Sequence, residues 1–216
     1  MTDLSEPRQT KEKRHQKVDP LASRPALAFS YHMPPRNTPE YYAMGLLDQM
    51  LAQGDDSLLR QELVKKRAYT DGVGAGANVL LGNLYNYEGP MLWTAFLFHD
   101  QKTTPDQILE GVDAVIKRLQ DAPVPQAALD RALVKVRSNL YNVLGQLNGF
   151  GRADLLASFA LFDDDPARIN QLEANFRKVT PEVLQRTARE YLRPTNRTVL
   201  SIEPKAQPAP PARPGQ

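Results

Sequence analysis

The sequence predicts a two-layer α+β fold, in which a mixed β-sheet carries helices packed on one face. Three observations favour this fold class. Apolar strand patterns lie early in the 216-residue chain and at its end, helix patterns are concentrated between them, and neither a repeat nor a linker divides the chain. With 41% apolar and 24% charged residues, the composition is ordinary for a globular domain.

The first third of the chain predicts two strands and two helices. Residues 1–20 are polar and predict a tail that runs into an edge strand, whereas the partial alternation from Pro25 to Met33 is typical of a sheet strand. Thr38 is the expected N-cap of a helix that stops at Gly54. A short helix near Leu58 to Lys66 is expected next. The buried stripe of the first helix is predicted at Ala43, Leu46, Leu47, Met50 and Leu51.

Residues 68–78 are rich in glycine and alanine, and two interpretations stay open for them. The segment is either a strand that a neighbour covers closely or a flexible loop. It is not a phosphate-binding loop, because no Lys-Ser/Thr and no helix pattern follow the glycines. The continuous apolar run from Met91 to Phe98 predicts a further strand.

Helix patterns dominate the second half of the chain. Thr104–Gln107 is a capping box that begins one helix, and Pro125 precedes a long helix with an apolar stripe from Leu129 to Leu147. The segment Asn148–Gly151 is expected to end this helix or to kink it into the apolar segment Ala153–Phe162.

The end of the chain predicts two more helices, a strand and a tail. The helices are expected to start at Asp165-Pro166 and at Thr180-Pro181, because each pair is a capping residue followed by proline. Arg197–Ile202 predicts the last strand. The proline-rich residues 204–216 cannot form a core and are expected to be disordered or polyproline-like.

Charge and composition argue against several classes of function. A net charge of +2 is too small to indicate nucleic-acid binding, and the basic run Arg8–Lys17 is more typical of a solvated strand or tail. With zero cysteines, the chain has no disulfide framework, no thiolate zinc site and no cysteine nucleophile. No apolar run approaches the roughly 20 residues of a membrane span, and the N-terminus lacks the apolar core of a signal peptide. We expect a soluble chain without a membrane partner, and its compartment stays open because a parent protein could be periplasmic.

The order of these elements resembles the metal-free, C-terminal-type domain of insulinase/pitrilysin zinc peptidases, in the subgroup related to mitochondrial processing peptidase. The segment from Gln61 to Tyr69 is similar to that family's Gln-Glu-Leu-Arg-x-Lys-Arg-Gly-Leu-Ala-Tyr signature. We expect the domain at residues 21–203, after the tail and edge strand of residues 1–20. The other segments that carry the resemblance are Gln9–Lys17, Pro25–Met33, Tyr41–Leu51 with Gly54, the helix after Pro125, Thr180–Val183 and Tyr191-Leu192.

The resemblance implies a chain that is inactive alone. The His-x-x-Glu-His helix that holds zinc in active members is missing, and His15, His32 and His99 are not spaced as ligands on one helical face. We therefore expect no metal in this chain and zinc on a partner domain or subunit. The implied function is to form, as in a heterodimer, half of a chamber that encloses an extended peptide substrate.

The resemblance also indicates candidate substrate-binding residues. In the family, the metal-free half can contribute an arginine and a tyrosine, seven residues apart, that hydrogen-bond the scissile carbonyl. Here Val64 stands at the arginine position, and the stretch to Tyr69 is two residues shorter than the signature. Tyr69 is thus the candidate tyrosine, with Arg60 or Arg67 as substitutes for the arginine. The alternative is that Tyr69 is a strand aromatic and that both arginines are solvated helix residues.

Two alternatives to this function stay open. The altered signature favours a scaffold or assembly protein that uses the same fold for protein contacts. An extended peptide could also bind as an added strand at a sheet edge, which needs backbone groups and no particular side chain.

Overall fold

The computed structural model describes residues 7–79, 81–146 and 150–205, in which five strands form one mixed sheet. The order across the sheet is β1-β5-β2-β4-β3, so that β1 and β3 are its edges. β1 and β5 are parallel, and every other neighbouring pair is antiparallel. The strands are β1 Lys13–Asp19, β2 Ala26–His32, β3 Gly74–Ala77, β4 Leu92–Phe98 and β5 Arg197–Pro204.

Helices account for most of the remaining described chain, and the predicted α+β class is confirmed. The short helix predicted near Leu58 is a π-helix, Arg60–Lys66, and 3₁₀-helices occupy Pro166–Gln171 and Pro194–Asn196. Among the described residues, no helix combines the length and apolarity that crossing a bilayer requires. The α-helices are α1 Pro39–Leu51, α2 Pro105–Asp121, α3 Gln126–Gly145, α4 Phe150–Asp163, α5 Leu172–Arg177 and α6 Pro181–Tyr191.

Three threonines begin three of these helices, as their positions before proline predict. The side chains of Thr38, Thr104 and Thr180 accept hydrogen bonds from the backbone N–H three residues further on. At Thr104 the capping box is complete, because the Gln107 side chain accepts from the backbone N–H of Thr104 at 2.8 Å. These contacts satisfy donors that the first helical turn leaves unpaired.

One face of the sheet is the floor of the hydrophobic core. Side chains alternate between the faces of a strand, so β2 and β4 each send every second residue towards the helices. The rings of Phe29, Tyr31 and Trp93 are fully buried there, with centroids 6.2–6.3 Å apart. Helix α1 lies deepest in the helical layer, since all of residues 41–49 are buried. The buried surface of α1 is therefore wider than the apolar stripe that the sequence predicts.

The glycine-rich segment forms the edge strand β3, which decides between the two interpretations in favour of a closely covered strand. Gly74 pairs with Phe96 of β4, and a Cβ at Gly74 would lie 2.6 Å from the tip of the Phe96 ring. Only glycine leaves room for the Phe96 ring above the backbone of residue 74, which explains the glycine at this position.

A buried arginine ties both layers together. The side chain of Arg197 at the start of β5 is 3% exposed, and its guanidinium donates to Glu12 Oε1 at 2.6 Å and to Asp113 Oδ1 of α2 at 2.5 Å. It also donates to the hydroxyl of Tyr31 at 3.3 Å. Arg197 of β5 thus contacts three other parts of the fold, which are the chain before β1, strand β2 and helix α2.

Two expectations lie outside the described residues. The break predicted at Asn148–Gly151 falls partly on residues 147–149, between the end of α3 at Gly145 and the start of α4 at Phe150. Most of the proline-rich tail, residues 206–216, also lies outside the description.

Candidate peptide-binding face

The second face of the sheet points away from the described helices, and we name it the open face. Directly paired residues lie on the same side of a sheet, so the strand register defines this face. Four of its large apolar side chains are exposed: Leu92 and Leu200 by 40%, Phe96 by 42% and Phe98 by 55%. On the covered face, by contrast, every large apolar side chain of β2 and β4 is at most 2% exposed. The members of the open face are Lys13, His15, Lys17 and Asp19; Thr198, Leu200, Ile202 and Pro204; Ala26, Ala28, Ser30 and His32; Leu92, Thr94, Phe96 and Phe98; and Gly74 and Gly76.

The register places a strip of small side chains along β2 at the centre of the open face, and we name this strip the trough. Its floor consists of the small side chains of Ala26, Ala28 and Ser30. In the register, the larger residues Phe96 of β4 and Leu200 of β5 stand on either side of Ala28 and form the walls of the trough, with the tip of the Phe96 ring lying over Gly74 on the far side of β4. The lining is mainly apolar, as in sites that bind peptide side chains.

The hydroxyl groups of the trough and its wall are hydrogen-bonded to each other. Ser30 Oγ and Thr94 Oγ1 are 2.9 Å apart on adjacent strands, and either can donate. This pairing leaves the trough without a buried hydroxyl that demands another partner. The apolar surface is therefore the main feature that a ligand would meet here.

The structure brings two of the three predicted site residues together, on the helix side of the sheet. The Arg67 guanidinium lies 5.7 Å from the centre of the Tyr69 ring, and its Cδ would be 3.4 Å from a Cβ at Gly111 of α2. Arg67 Nε also donates to Glu62 Oε1 at 2.9 Å. That hydrogen bond is the main reason why the pKa of the Glu62 carboxyl lies below its ordinary value. Arg67 thus has a structural partner, and a role in substrate binding for Tyr69 and Arg67 stays a prediction.

Arg60, the third predicted residue, forms an ion pair with a different carboxylate. Its Nε is 3.1 Å from Asp55 Oδ1, and its Nη1 would be 3.9 Å from a Cβ at Gly72. The described contacts do not join Arg60 to Tyr69. Its substrate-binding role also stays a prediction.

The backbone at Ala68 suggests another alignment of the signature segment. Ala68 has a φ of +52°, in the left-handed region that glycine adopts most easily. Placed on the signature's glycine, Ala68 gives an ungapped match from Gln61, and Asp71 then stands where the signature has its tyrosine. Asp71 is exposed and accepts two hydrogen bonds at 3.1 Å from Arg24.

Arg24 places this pair at the rim of the open face. Its guanidinium lies 5.8 Å from the centre of the Phe98 ring. Both Arg24 and Asp71 were missed from the sequence, because the signature was anchored on Gln61–Leu63 and its tyrosine was matched to Tyr69 across a two-residue gap. An alanine at the glycine position was the signal that could have found the ungapped match.

The three histidines do not form a metal site. His15 lies on the edge strand β1 and His32 at the end of β2, while His99 follows the end of β4 and is buried with its Nδ1 2.8 Å from the carbonyl oxygen of Asp100. Within residues 7–79, 81–146 and 150–205, no cluster of three or more His, Cys, Asp or Glu side chains could hold a metal ion. The ligand set of a catalytic zinc therefore does not fit the described part of this chain.

A family profile described as the peptidase M16 inactive domain matches residues 2–135, more than half of the chain. The chain belongs to the peptidase M16 inactive-domain family. The profile match confirms the family resemblance that the sequence of this M16 domain indicated. The comparison with curated proteins found no match.

Solved structures share the fold of this M16 domain at low sequence identity. A protease from Helicobacter pylori superposes with a TM-score of 0.76 at 18% identity, covering 94% of this chain and 47% of its own. The inactive peptidase domain of a proposed zinc protease from Bordetella parapertussis has a TM-score of 0.70 at 23% identity, covering 86% and 95%. A chain of complex III from Candida albicans has a TM-score of 0.72 at 12% identity, covering 88% and 45%. The chain thus spans about half the length of the first of these proteins.

Proposed function

We propose that this M16 domain forms half of a peptide-enclosing chamber, with its open face turned towards a zinc-bearing M16 domain or subunit. One observation carries the proposal: a family domain keeps four large apolar side chains exposed on one sheet face. An exposed apolar patch of this kind is typical of an interaction site. The patch consists of Leu92, Phe96, Phe98 and Leu200.

The trough favours an extended peptide as the ligand on this face. Its floor of small residues follows the direction of β2, and its walls offer apolar contacts to side chains on both flanks. An extended peptide places alternate side chains on opposite sides, so one set can enter the trough while the other points to the partner. Zinc on the partner would supply hydrolysis, and this chain would supply binding area.

Reconstitution with a zinc-bearing M16 partner tests the proposal. The complex should cleave peptides, and neither Phe98→Asp nor Leu200→Asp should unfold the chain, because both side chains are already exposed. Each variant should lower kcat/KM by at least about ten-fold, since a desolvated aspartate replaces apolar contact area. Val134→Asp and Leu161→Asp are matched controls, because both residues are exposed on the helical layer. Open-face variants that cleave as well as the controls would contradict the proposal.

A scaffold function is the second candidate, and the signature segment favours it. Val64 cannot donate a hydrogen bond where the family has arginine, and Arg67 is bound to Glu62 and Tyr69. The likeness to a chain of complex III concerns the fold alone. The open-face variants in the reconstituted complex separate the candidates: a large drop in kcat/KM for Phe98→Asp indicates substrate contact, and unchanged turnover favours the scaffold.

A further inference from the structure

We propose that the open face selects extended peptides that carry acidic side chains beside apolar ones. This inference rests on the proposed function, because it names the substrate class of the same face. Its basis is the distribution of charge over the open face, which is independent of the apolar exposure used above.

The charged side chains of the open face are mainly basic. On β1, Lys13, His15 and Lys17 point to this face and are exposed. The single carboxylate in the strand register of the open face belongs to Asp19, and it is already engaged. Its Oδ1 accepts from the backbone N–H of Leu21 at 2.9 Å, and its Oδ2 lies 3.6 Å from Lys17 Nζ. Lys17 therefore already has a carboxylate partner, in a weak, solvent-exposed pair that a peptide carboxylate would have to share or displace.

The strands between β1 and the opposite edge add no charge that would offset these lysines. Their open-face residues are apolar, hydroxylic or glycine, apart from His32 at the end of β2. At the rim, the positive charge of Arg24 is matched by Asp71. The net positive charge of the open face, which is Lys13 and Lys17 less Asp19, therefore lies on its β1 side.

The lysines lie within reach of a ligand in the trough. β1 and β2 are separated by β5, so two strand spacings, about 10 Å, divide the lysine backbone from the trough floor. A lysine and a glutamate side chain that extend towards each other can span this gap above Thr198, which lies beside Lys13, and above Ile202, which lies beside Lys17. The residues in between are an apolar and a hydroxyl side chain, which do not compete for the carboxylate.

The spacing of the lysines defines a pattern in the peptide. Lys13 and Lys17 are four residues apart along a strand, about 13 Å. Two carboxylates four residues apart on an extended peptide would have the same separation and point to the same side. The preferred peptide is therefore extended and mostly apolar, with acidic residues at positions i and i+4.

The expected size of the preference for acidic peptides follows from the solvent exposure of the lysines. Ion pairs between exposed groups are weak and are screened by salt, so two of them should give a preference of about five-fold at low ionic strength. This preference should shrink as salt rises, whereas the apolar contacts should not weaken.

Three matched peptides test the inference on the complex of the full chain with its zinc-bearing partner. They share a 12-residue extended sequence of leucine and phenylalanine in polar surroundings, and they differ only at i and i+4, which are both Glu, both Gln or both Lys. We expect kcat/KM for the Glu peptide to exceed that for the Lys peptide by about five-fold at low salt. The double variant Lys13→Glu with Lys17→Glu should abolish or reverse the order.

A double reversal on the helical layer, Lys117→Glu with Lys178→Glu, is the control with the same change in net charge. It should keep the preference of the unmodified chain. Equal cleavage of the Glu and Lys peptides, or a preference that survives reversal of Lys13 and Lys17, would overturn the inference and leave the proposed function standing. A complex that cleaves none of the three peptides would overturn the proposed function and the inference together.

Discussion

The indole N–H of Trp93 donates a hydrogen bond to Asp48 Oδ1 at 2.7 Å. The single tryptophan of the chain thereby joins strand β4 to helix α1 through a carboxylate that is buried in the core. The amides of Gln49 and Gln53 also donate to Asp48, both at 3.2 Å. No lysine or arginine takes part in these described contacts, so the carboxylate depends on neutral donors alone.

Asp48 should make stability depend on pH. Burial raises the pKa of its carboxyl from 3.8 to about 6, and the three donors only partly oppose the rise. The folded chain thus holds a proton that the unfolded chain releases, so this contribution to stability is complete below pH 3.8 and lost as pH rises through about 6. Asp48→Asn should remove this loss and raise the free energy of unfolding at pH 7 by up to about 3 kcal/mol.

Urea unfolding at pH 4, 5, 6 and 7, followed by Trp93 fluorescence, measures this effect. The unmodified chain and Asp48→Asn should diverge as pH rises, with Asp55→Asn at an exposed position as the control. Parallel curves for the unmodified chain and Asp48→Asn would contradict the pKa of Asp48.

Arg197 should be among the most sensitive polar residues of the fold. Arg197→Met removes a buried cation that holds Glu12 and Asp113, and it should lower the free energy of unfolding by about 3 kcal/mol. Arg14→Met is a matched control, because Arg14 also binds Glu12 but is 49% exposed, and its loss should cost at most about 1 kcal/mol. Thermal unfolding of both variants makes the comparison, and equal losses would refute the role of burial.

Ala68→Gly should stabilise the chain. A left-handed φ costs an alanine roughly 1 kcal/mol that glycine does not lose, and Ala68 has a φ of +52°. The same exchange at Ala127, in the exposed first turn of α3, should instead destabilise by about 1 kcal/mol. Chemical unfolding of the two variants should therefore give shifts of opposite sign. A destabilised Ala68→Gly would also remove the support for the ungapped alignment.

Gly74→Ala should destabilise the edge of the sheet. The new Cβ would lie 2.6 Å from the Phe96 ring, so the ring must move, and overpacking of this kind costs about 1–3 kcal/mol. Gly145→Ala at the end of α3 has open space around it and should be neutral or slightly stabilising. If both variants have the same melting temperature, Phe96 does not cover Gly74 in solution.

The elements that the sequence predicted well carry their signal locally. The caps at Thr38, Thr104 and Thr180 and the alternation in β2 depend on neighbouring residues, so their patterns can be read without the fold. The burial of α1 on nearly all sides could not be predicted from the sequence, because it results from the sheet and several helices packing around this one helix.

The candidate site was harder to predict than the fold. The open face is defined by cross-strand register between segments far apart in the chain, and its trough appears only when Ala28 stands between Phe96 and Leu200. The pair formed by Arg24 and Asp71 likewise joins two loops. Single side chains such as Tyr69 were easier to select from a family signature, but their surroundings lie beyond what that signature describes.

Thiol labelling on the open face tests the central claim most directly, because the chain contains no cysteine of its own. Leu200→Cys should react with a soluble maleimide in the free chain, and a zinc-bearing partner with a bound peptide should slow the reaction at least about ten-fold. Val134→Cys on the helical layer should react at the same rate in both states. A peptidase-active complex in which peptide leaves the labelling rate of Leu200→Cys unchanged would contradict an open face that lines the chamber.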